Sequence, residues 1–512
     1  MENHPTKLAW SWIAWVLAAK IILHFCTNGN YSYHRDELLY LALGNHPDFG
    51  HWSNGPLIGW MSWFIQHVLG DSPFMIRLIP TLLGCGLIIL ATAMARDMGG
   101  GKWGQLLAAL SILVSPMYLR ASTMFQPVIF DVFLWTSFTY LLVRYLHTEE
   151  QKYIIGFGIA FGFSLLNKYT PVFYLMALVL ALLATPHRAL LWKKETGMAA
   201  LVALLIFLPN LLWQKAYNFP VIQHMEDLSS SQLANIKPIN FLLDQLLLNM
   251  PSMLLLFGGL VFLFSTKGRN FRLLGWLYLA VIMLFLVFKG KSYYSAGIYP
   301  VLLAGGAVAW EQWIKPQWGK AGLGVLMILS IIPFLPLGVY ILPLEKMVGY
   351  STWLKTEVKL DGPLRWEDGV VHDLPQDYAD MCGWEELAQI AQMAYENAAS
   401  PESTLLYAEN YGQAGAVNLR GKENGLPHCN SFSDNFRLWI DPEFQPTALI
   451  YINDELGKDV EALFDNIQVI GRITTSYARE KGTTVFLCEN AKADVSQFWH
   501  ERVEMVEASW KR

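Results

Sequence analysis

A chain of 512 residues that is 54% hydrophobic and only 15% charged, with 20 tryptophans, is composed like an integral membrane protein and not like a soluble enzyme. Its charge is unevenly divided: residues 1–343 hold 22 Lys and Arg against 14 Asp and Glu, and residues 344–512 hold 15 against 28. Two regions follow, a membrane body over 1–343 and an acidic soluble domain over 344–512, with no nucleic-acid partner expected.

A span needs about 20 predominantly apolar residues. About eleven segments qualify, over residues 8–26, 74–95, 103–118, 125–146, 153–167, 170–186, 197–214, 248–265, 273–288, 296–310 and 321–343. The first is not followed by a small-residue cleavage site and reads as an anchor that stays. With the N-terminus inside, the inner loops collect thirteen Lys and Arg and the outer ones eight, as the positive-inside rule asks. An odd number of spans then leaves the acidic domain outside the cytoplasm.

The first outer loop, residues 27–73, is long and patterned. Asp36 to Gly44 reads as a short helix; after a turn at Asn45-His46-Pro47-Asp48 a second helix begins near Gly55-Pro56. Its apolar residues, Trp60 and Trp63 among them, suit the membrane interface. The second outer loop, about residues 215–247, contains Ser229-Ser230-Ser231-Gln232 and reads either as a mobile lid or as an ordinary linker.

The acidic domain reads as a small α/β unit, with strands over 404–408, 448–452 and 484–487 and helices over 384–398 and 460–467. It shows no phosphate loop and no Ser-His-Asp spacing, so catalysis is not expected in it. The five cysteines have no metal-ligand spacing; the three in this domain leave room for one disulfide, with one thiol over.

Chemistry is concentrated in Arg35-Asp36-Glu37, just after the first span. Successive helix positions point about 100° apart, so the two carboxylates cannot serve one small site equally. A carboxylate here is either a general base or a helix-start residue favoured by the dipole. Asp131, inside or at the outer end of the fourth segment, needs a partner or a role, with Arg120, Lys168 or a substrate group available. The outer cations Lys168 and Lys291 either snorkel at headgroup level or serve the same site. Acids and cations on one side of a membrane suit a reaction in which a base activates an acceptor while cations hold an anionic leaving group such as phosphate.

These residues recur in an order that resembles a known family. Asp36-Glu37-Leu38-Leu39-Tyr40, His51-Trp52-Ser53-Asn54-Gly55-Pro56-Leu57, Arg77-Leu78-Ile79-Pro80 and Phe130-Asp131 come first. Leu166-Asn167-Lys168-Tyr169-Thr170, Pro209 to Gln214, Gly290-Lys291-Ser292-Tyr293-Tyr294 and, in the acidic domain, Glu409 to Ala416 follow. The set is similar to bacterial GT-C superfamily membrane glycosyltransferases (family 39), the group of the protein O-mannosyltransferases and the aminoarabinose transferases acting on lipid A. The resemblance implies a polytopic α-helical GT-C fold in the bacterial inner membrane, and transfer of a sugar from a polyprenyl-phosphate donor to a lipid, protein or glycan acceptor. The reaction would be a single inverting displacement on the extracytoplasmic face.

By the same resemblance Asp36, with Glu37 and Asp131, would be catalytic, and Arg35, His51, Asn54, Lys168, Tyr169, Lys291 and Tyr294 would bind substrate. Neither metal nor other cofactor is implied. Two departures stand out: Ser53-Asn54-Gly55-Pro56-Leu57 replaces the common Asp-His-Pro-Pro-Leu, and Gln126-Pro127 replaces an acid before proline. Asp131 either substitutes for that acid or only packs helices. The competing reading of the same charges, a transporter or flippase of lipid-linked saccharides, predicts internal repeats, and the sequence has no convincing one.

Overall fold

The computed structural model describes residues 7–231, 233 and 236–510. Each of the eleven apolar segments is helical, but not each is long enough to cross a bilayer alone. Among the described residues, five helices meet that length and composition: Pro73–Asp97, Pro127–Thr148, Lys194–Ala216, Arg269–Val287 and Gln317–Gly338. Pro238–Leu247 and Met250–Phe264, bent by 70°, make a sixth if they are one broken span. The count of about eleven spans is not confirmed by helix length alone, and the breaks show why. The segment over 103–118 divides into Lys102–Leu113 and Pro116–Ala121, because a proline cannot continue the ladder of hydrogen bonds behind it. α1, Trp10–Phe25, has 16 residues and so rises only about 24 Å.

These helices turn leucines outward. Leu201, Leu204, Leu205 and Leu212 of Lys194–Ala216 are exposed, a surface suited to lipid and not to water. The chain is thus a helical membrane protein.

The loop over residues 27–73 carries two helices, α2 (Arg35–Asn45) and α3 (Leu57–Val68). α2 starts where the sequence predicts because His34 Nδ1 accepts the Asp36 N–H and Glu37 Oε2 accepts the His34 N–H, a reciprocal cap. The segment after Lys194–Ala216 is largely helical, with Pro220–Ser231 and Pro238–Leu247; Gln232 of the serine run lies outside the described residues.

The acidic domain is built on a four-stranded sheet in the order β1-β2-β4-β3, with β1 Thr404–Ala408, β2 Ala448–Asn453, β3 Phe464–Arg472 and β4 Thr484–Ala491. β1 and β2 are parallel, with Tyr407 opposite Tyr451; β4 runs antiparallel to β2 and β3. β3 corrects the sequence reading: the helix expected over 460–467 ends at Leu463, and Phe464 opens an edge strand whose exposed polar positions hide the strand pattern. Strand alternation divides the domain's core. Leu406, Ile450, Ile452, Val485 and Leu487 join one continuous apolar core with Trp384–Asn397 and with Leu38 of α2. Leu405, Tyr407, Leu449 and Tyr451 face Trp499 of Val495–Trp510 on the other side. All five cysteines are free.

Candidate active site

The two regions meet at α2. The Tyr411–Gly421 helix of the acidic domain lies on it so closely that a Cβ on Gly412 would sit 2.6 Å from Arg35 Cγ, and one on Gly415 3.0 Å from Leu38 Cβ. At either position a side chain would force its neighbour to shift. The Arg35 N–H donates to the Asp380 carbonyl at 3.0 Å, tying the start of α2 to the same domain.

Between the regions is a cavity of about 740 Å³, of the size that small-molecule sites occupy. α2 contributes Arg35, Asp36, Leu39 and Tyr40, and the following loop Ser53 and Asn54. Lys168, Lys291, Tyr293 and Tyr294 come from the ends of the membrane helices, with Met117, Met124, Val128 and Leu248 as an apolar stretch of wall. The acidic domain adds Glu367, Asp377, Asp380, Tyr411, Asp434 and Arg479.

Asp36 is the expected catalytic carboxylate that reaches this space. Its Oδ1 accepts the Tyr411 hydroxyl at 2.8 Å and its Oδ2 accepts Gln126 Nε2 at 3.4 Å. Glu37, one residue on, points the other way. It is fully buried against Arg77, which donates Nε to Oε1 at 3.0 Å and Nη2 to Oε2 at 2.7 Å. The His34 and Phe125 N–H groups, each at 2.9 Å, complete four hydrogen bonds. Burial alone raises a carboxyl's pKa, but Arg77 and these donors outweigh it and hold Glu37 below the ordinary value. Glu37 thus sits in a buried ion pair with Arg77, away from the cavity that Asp36 lines.

Asp131 also stops short of the cavity. Both its oxygens lie 3.0 Å from the Thr170 hydroxyl, the residue two beyond Lys168, so it supports that turn from behind. Arg120, one partner offered for it by the sequence, instead pairs with Asp377 of the acidic domain, Nε to Oδ2 at 2.9 Å.

Lys168 lies 4.9 Å from the Tyr294 ring centroid and 5.3 Å from that of Tyr293, a cation–π cradle that fixes the ammonium while leaving its N–H groups to an anion. Burial lowers its pKa, against the pull of Asp131. Lys291 lies 4.0 Å from Glu367. Arg35, over the Tyr411 ring at 4.6 Å, and Asn54 line the cavity. Two expected binding residues do not. His51 is buried, with Nδ1 3.2 Å from Asn435 Nδ2, and joins the loop after α2 to the acidic domain. Tyr169 hydrogen-bonds Asn210 and Gln214, both at 3.0 Å. Those two partners belong to the Pro209–Gln214 motif, whose Asn210 and Trp213 also hold the loop after α2 at the Phe49 carbonyl and the Asp48 carboxylate.

The acidic domain's share of the site is what the sequence reading missed. Its signal was the Glu409–Ala416 motif, which holds Tyr411, Gly412 and Gly415.

Part of the chain is similar in sequence to known glycosyltransferases, in line with the resemblance read from the motifs. Residues 46–213 match the family described as dolichyl-phosphate-mannose-protein mannosyltransferase. The chain is 24% identical over 200 residues to the lipid A galacturonosyltransferase RgtD of Rhizobium johnstonii, a stretch that spans 38% of this chain and 41% of that protein's length. Its fold is shared with ArnT from Cupriavidus metallidurans bound to undecaprenyl phosphate, with a TM-score of 0.66 at 15% identity over 95% of this chain and 99% of that one. The apo form of ArnT gives 0.61 at 14% identity, over 94% and 98%.

Proposed function

We propose that the protein transfers a sugar from a polyprenyl-phosphate carrier to a lipid acceptor at the outer face of the bacterial inner membrane. The observation that carries this reading is the cavity itself, in which the Asp36 carboxylate shares one space with the ammonium groups of Lys168 and Lys291. RgtD, named for lipid A, supports a lipid acceptor, and the undecaprenyl phosphate bound to ArnT supports the carrier. The apolar wall of Met117, Met124, Val128 and Leu248 suits the first isoprene units.

In the reaction Asp36 takes the proton of an acceptor hydroxyl as that oxygen bonds to the anomeric carbon. The bond from that carbon to the phosphate oxygen breaks, and the phosphate leaves with the electron pair, held by Lys168 and Lys291. One displacement inverts the anomeric centre. Preorganised cations are effective here because they need not reorganise as charge develops on the leaving group. The acidic domain closes the cavity on the extracytoplasmic side.

The test is turnover of a polyprenyl-phosphate sugar by purified protein. Asp36→Asn is expected to lose transfer by about 10²–10⁴-fold or more, the usual worth of a general base, with folding intact. Undiminished turnover would remove Asp36 from the mechanism. Lipid flipping in proteoliposomes without sugar transfer would overturn the enzyme reading altogether.

A further inference from the structure

The shortest polar contact the structure gives Asp36 comes from 375 positions away, the Tyr411 hydroxyl at 2.8 Å from Oδ1. Tyr411 is not a surface residue that happens to touch. It opens a helix capped by Asn410, whose side chain accepts the Gln413 N–H at 3.0 Å while Gln413 returns a contact to the Asn410 N–H. Its ring lies beneath the Arg35 guanidinium. Its neighbour Gly412 is wedged between Arg35 and Trp384, and the Trp384 indole donates to the Asp380 carbonyl that also receives the Arg35 N–H. The phenol is thereby fixed relative to α2 by contacts on several sides, more rigidly than a bond to a loop residue would be.

We propose that Tyr411 is a positioning residue for Asp36, and that docking of the acidic domain on α2 completes the catalytic site. The proposal rests on the reading of Asp36 as the base. Tyr411 donates its proton to Oδ1 throughout and keeps it. The bond holds the carboxylate in one rotamer, with Oδ2 turned to the acceptor hydroxyl. When the acceptor's proton moves to Oδ2, the acceptor oxygen bonds to the anomeric carbon and the phosphate departs with the electron pair of the broken bond. Asp36 ends protonated, and Tyr411 is unchanged. Gln126, at 3.4 Å from Oδ2, is the longer and weaker contact that an incoming hydroxyl displaces.

Tyr411→Phe removes the hydroxyl and leaves the ring under Arg35. A hydrogen bond to a charged group is worth roughly a 10–100-fold factor, so kcat is expected to fall about that much. KM for donor and acceptor should stay within about twofold, because a positioning residue holds the base and not a substrate, so that kcat and kcat/KM fall together. A raised KM with normal kcat would make Tyr411 a substrate contact and overturn the proposal, as would unchanged kinetics. Should the variant fail to fold, 3-fluorotyrosine at 411 in otherwise intact protein provides the second measurement: its fluorine resonance is expected to move on Asp36→Asn, and a fixed resonance overturns the contact. The two readings separate cleanly. Full turnover by Asp36→Asn sinks the base and this proposal together; an inactive Asp36→Asn beside a fully active Tyr411→Phe sinks this proposal alone.

Discussion

Replacing Glu37 by alanine tests whether the second carboxylate of the Asp36-Glu37 pair is structural. Both Glu37 and Arg77 have side chains of 0% exposure. Arg77 donates all five of its N–H bonds, two to Glu37 and the others to the carbonyls of Asn28, Tyr31 and Ser32 at 2.8, 3.1 and 2.7 Å. Removing the carboxylate leaves a guanidinium buried without its counter-charge, which costs about 3–5 kcal/mol, against about 0–1 kcal/mol for an exposed pair. The orphaned N–H groups of His34 and Phe125 add to this, though not in full, because the four bonds form one network. The assay is denaturant unfolding in detergent, followed by tryptophan fluorescence, with turnover measured per folded molecule. Glu37→Ala with unfolding free energy within about 1 kcal/mol of the parent would refute the structural reading; if turnover were lost at that unchanged stability, Glu37 would return to the chemistry. The pH dependence has a definite sign. A carboxyl held below its ordinary 4.5 in the folded chain contributes stability that is fully present above 4.5 and is lost as pH falls through the folded value. The pair is expected to be insensitive to pH near neutrality and to fail on acidification.

Three further outcomes are expected. Because burial holds Lys168 below the ordinary 10.5, donor affinity should fall on the alkaline side before that pH, and Lys168→Arg should move the limb upward; a limb shared by both proteins assigns it elsewhere. Lys291→Ala should weaken donor binding by roughly 10–100-fold, the worth of one charge-assisted bond, and normal donor affinity in a direct binding measurement would return Lys291 to headgroup snorkelling. Gly412→Ala should destabilise the protein by about 1–3 kcal/mol through overpacking on Arg35 and Trp384 and reduce turnover with it. Gly349→Ala, whose methyl meets nothing within 4 Å, is the control in the same melting assay; equal effects at the two positions would argue against the close approach.

Much of the fold was legible because its causes are local. The apolar segments are helical since composition and the missing β-pattern leave little else, and α2 begins within a residue of its expected start because its cap is written in His34 to Glu37. What local sequence could not convey was length in the membrane and the edge strand. Pro116 shortens a run that hydropathy alone joins, and Pro238–Leu247, placed by sequence in a loop, forms with Met250–Phe264 a pair bent by 70°. β3 alternates weakly, because an edge strand pairs on one side only and carries Asp465, Asn466 and Gln468 outward.

The site divides along the same line. Residue type marked Asp36, Lys168 and Lys291, since charge at a membrane surface is costly wherever it has no use, and all three line the cavity. Type alone could not separate Asp36 from Glu37, and the geometry of α2 does so. Adjacent helix positions diverge by about 100°, so one carboxylate turns inward to Arg77 and the other outward to the cavity, where Tyr411 meets it. A tyrosine and two glycines carry no chemical signature in sequence, and their use depends on a contact spanning hundreds of residues. The acidic domain therefore looked inert when read alone, although its Gly412 and Gly415 allow the approach that brings a hydroxyl to Asp36. The short helix α2 is the joint between the two regions: Glu37 ties it to the membrane helices, the Arg35 N–H ties it to the acidic domain, and Asp36, between those two fixed points, is held where the regions meet.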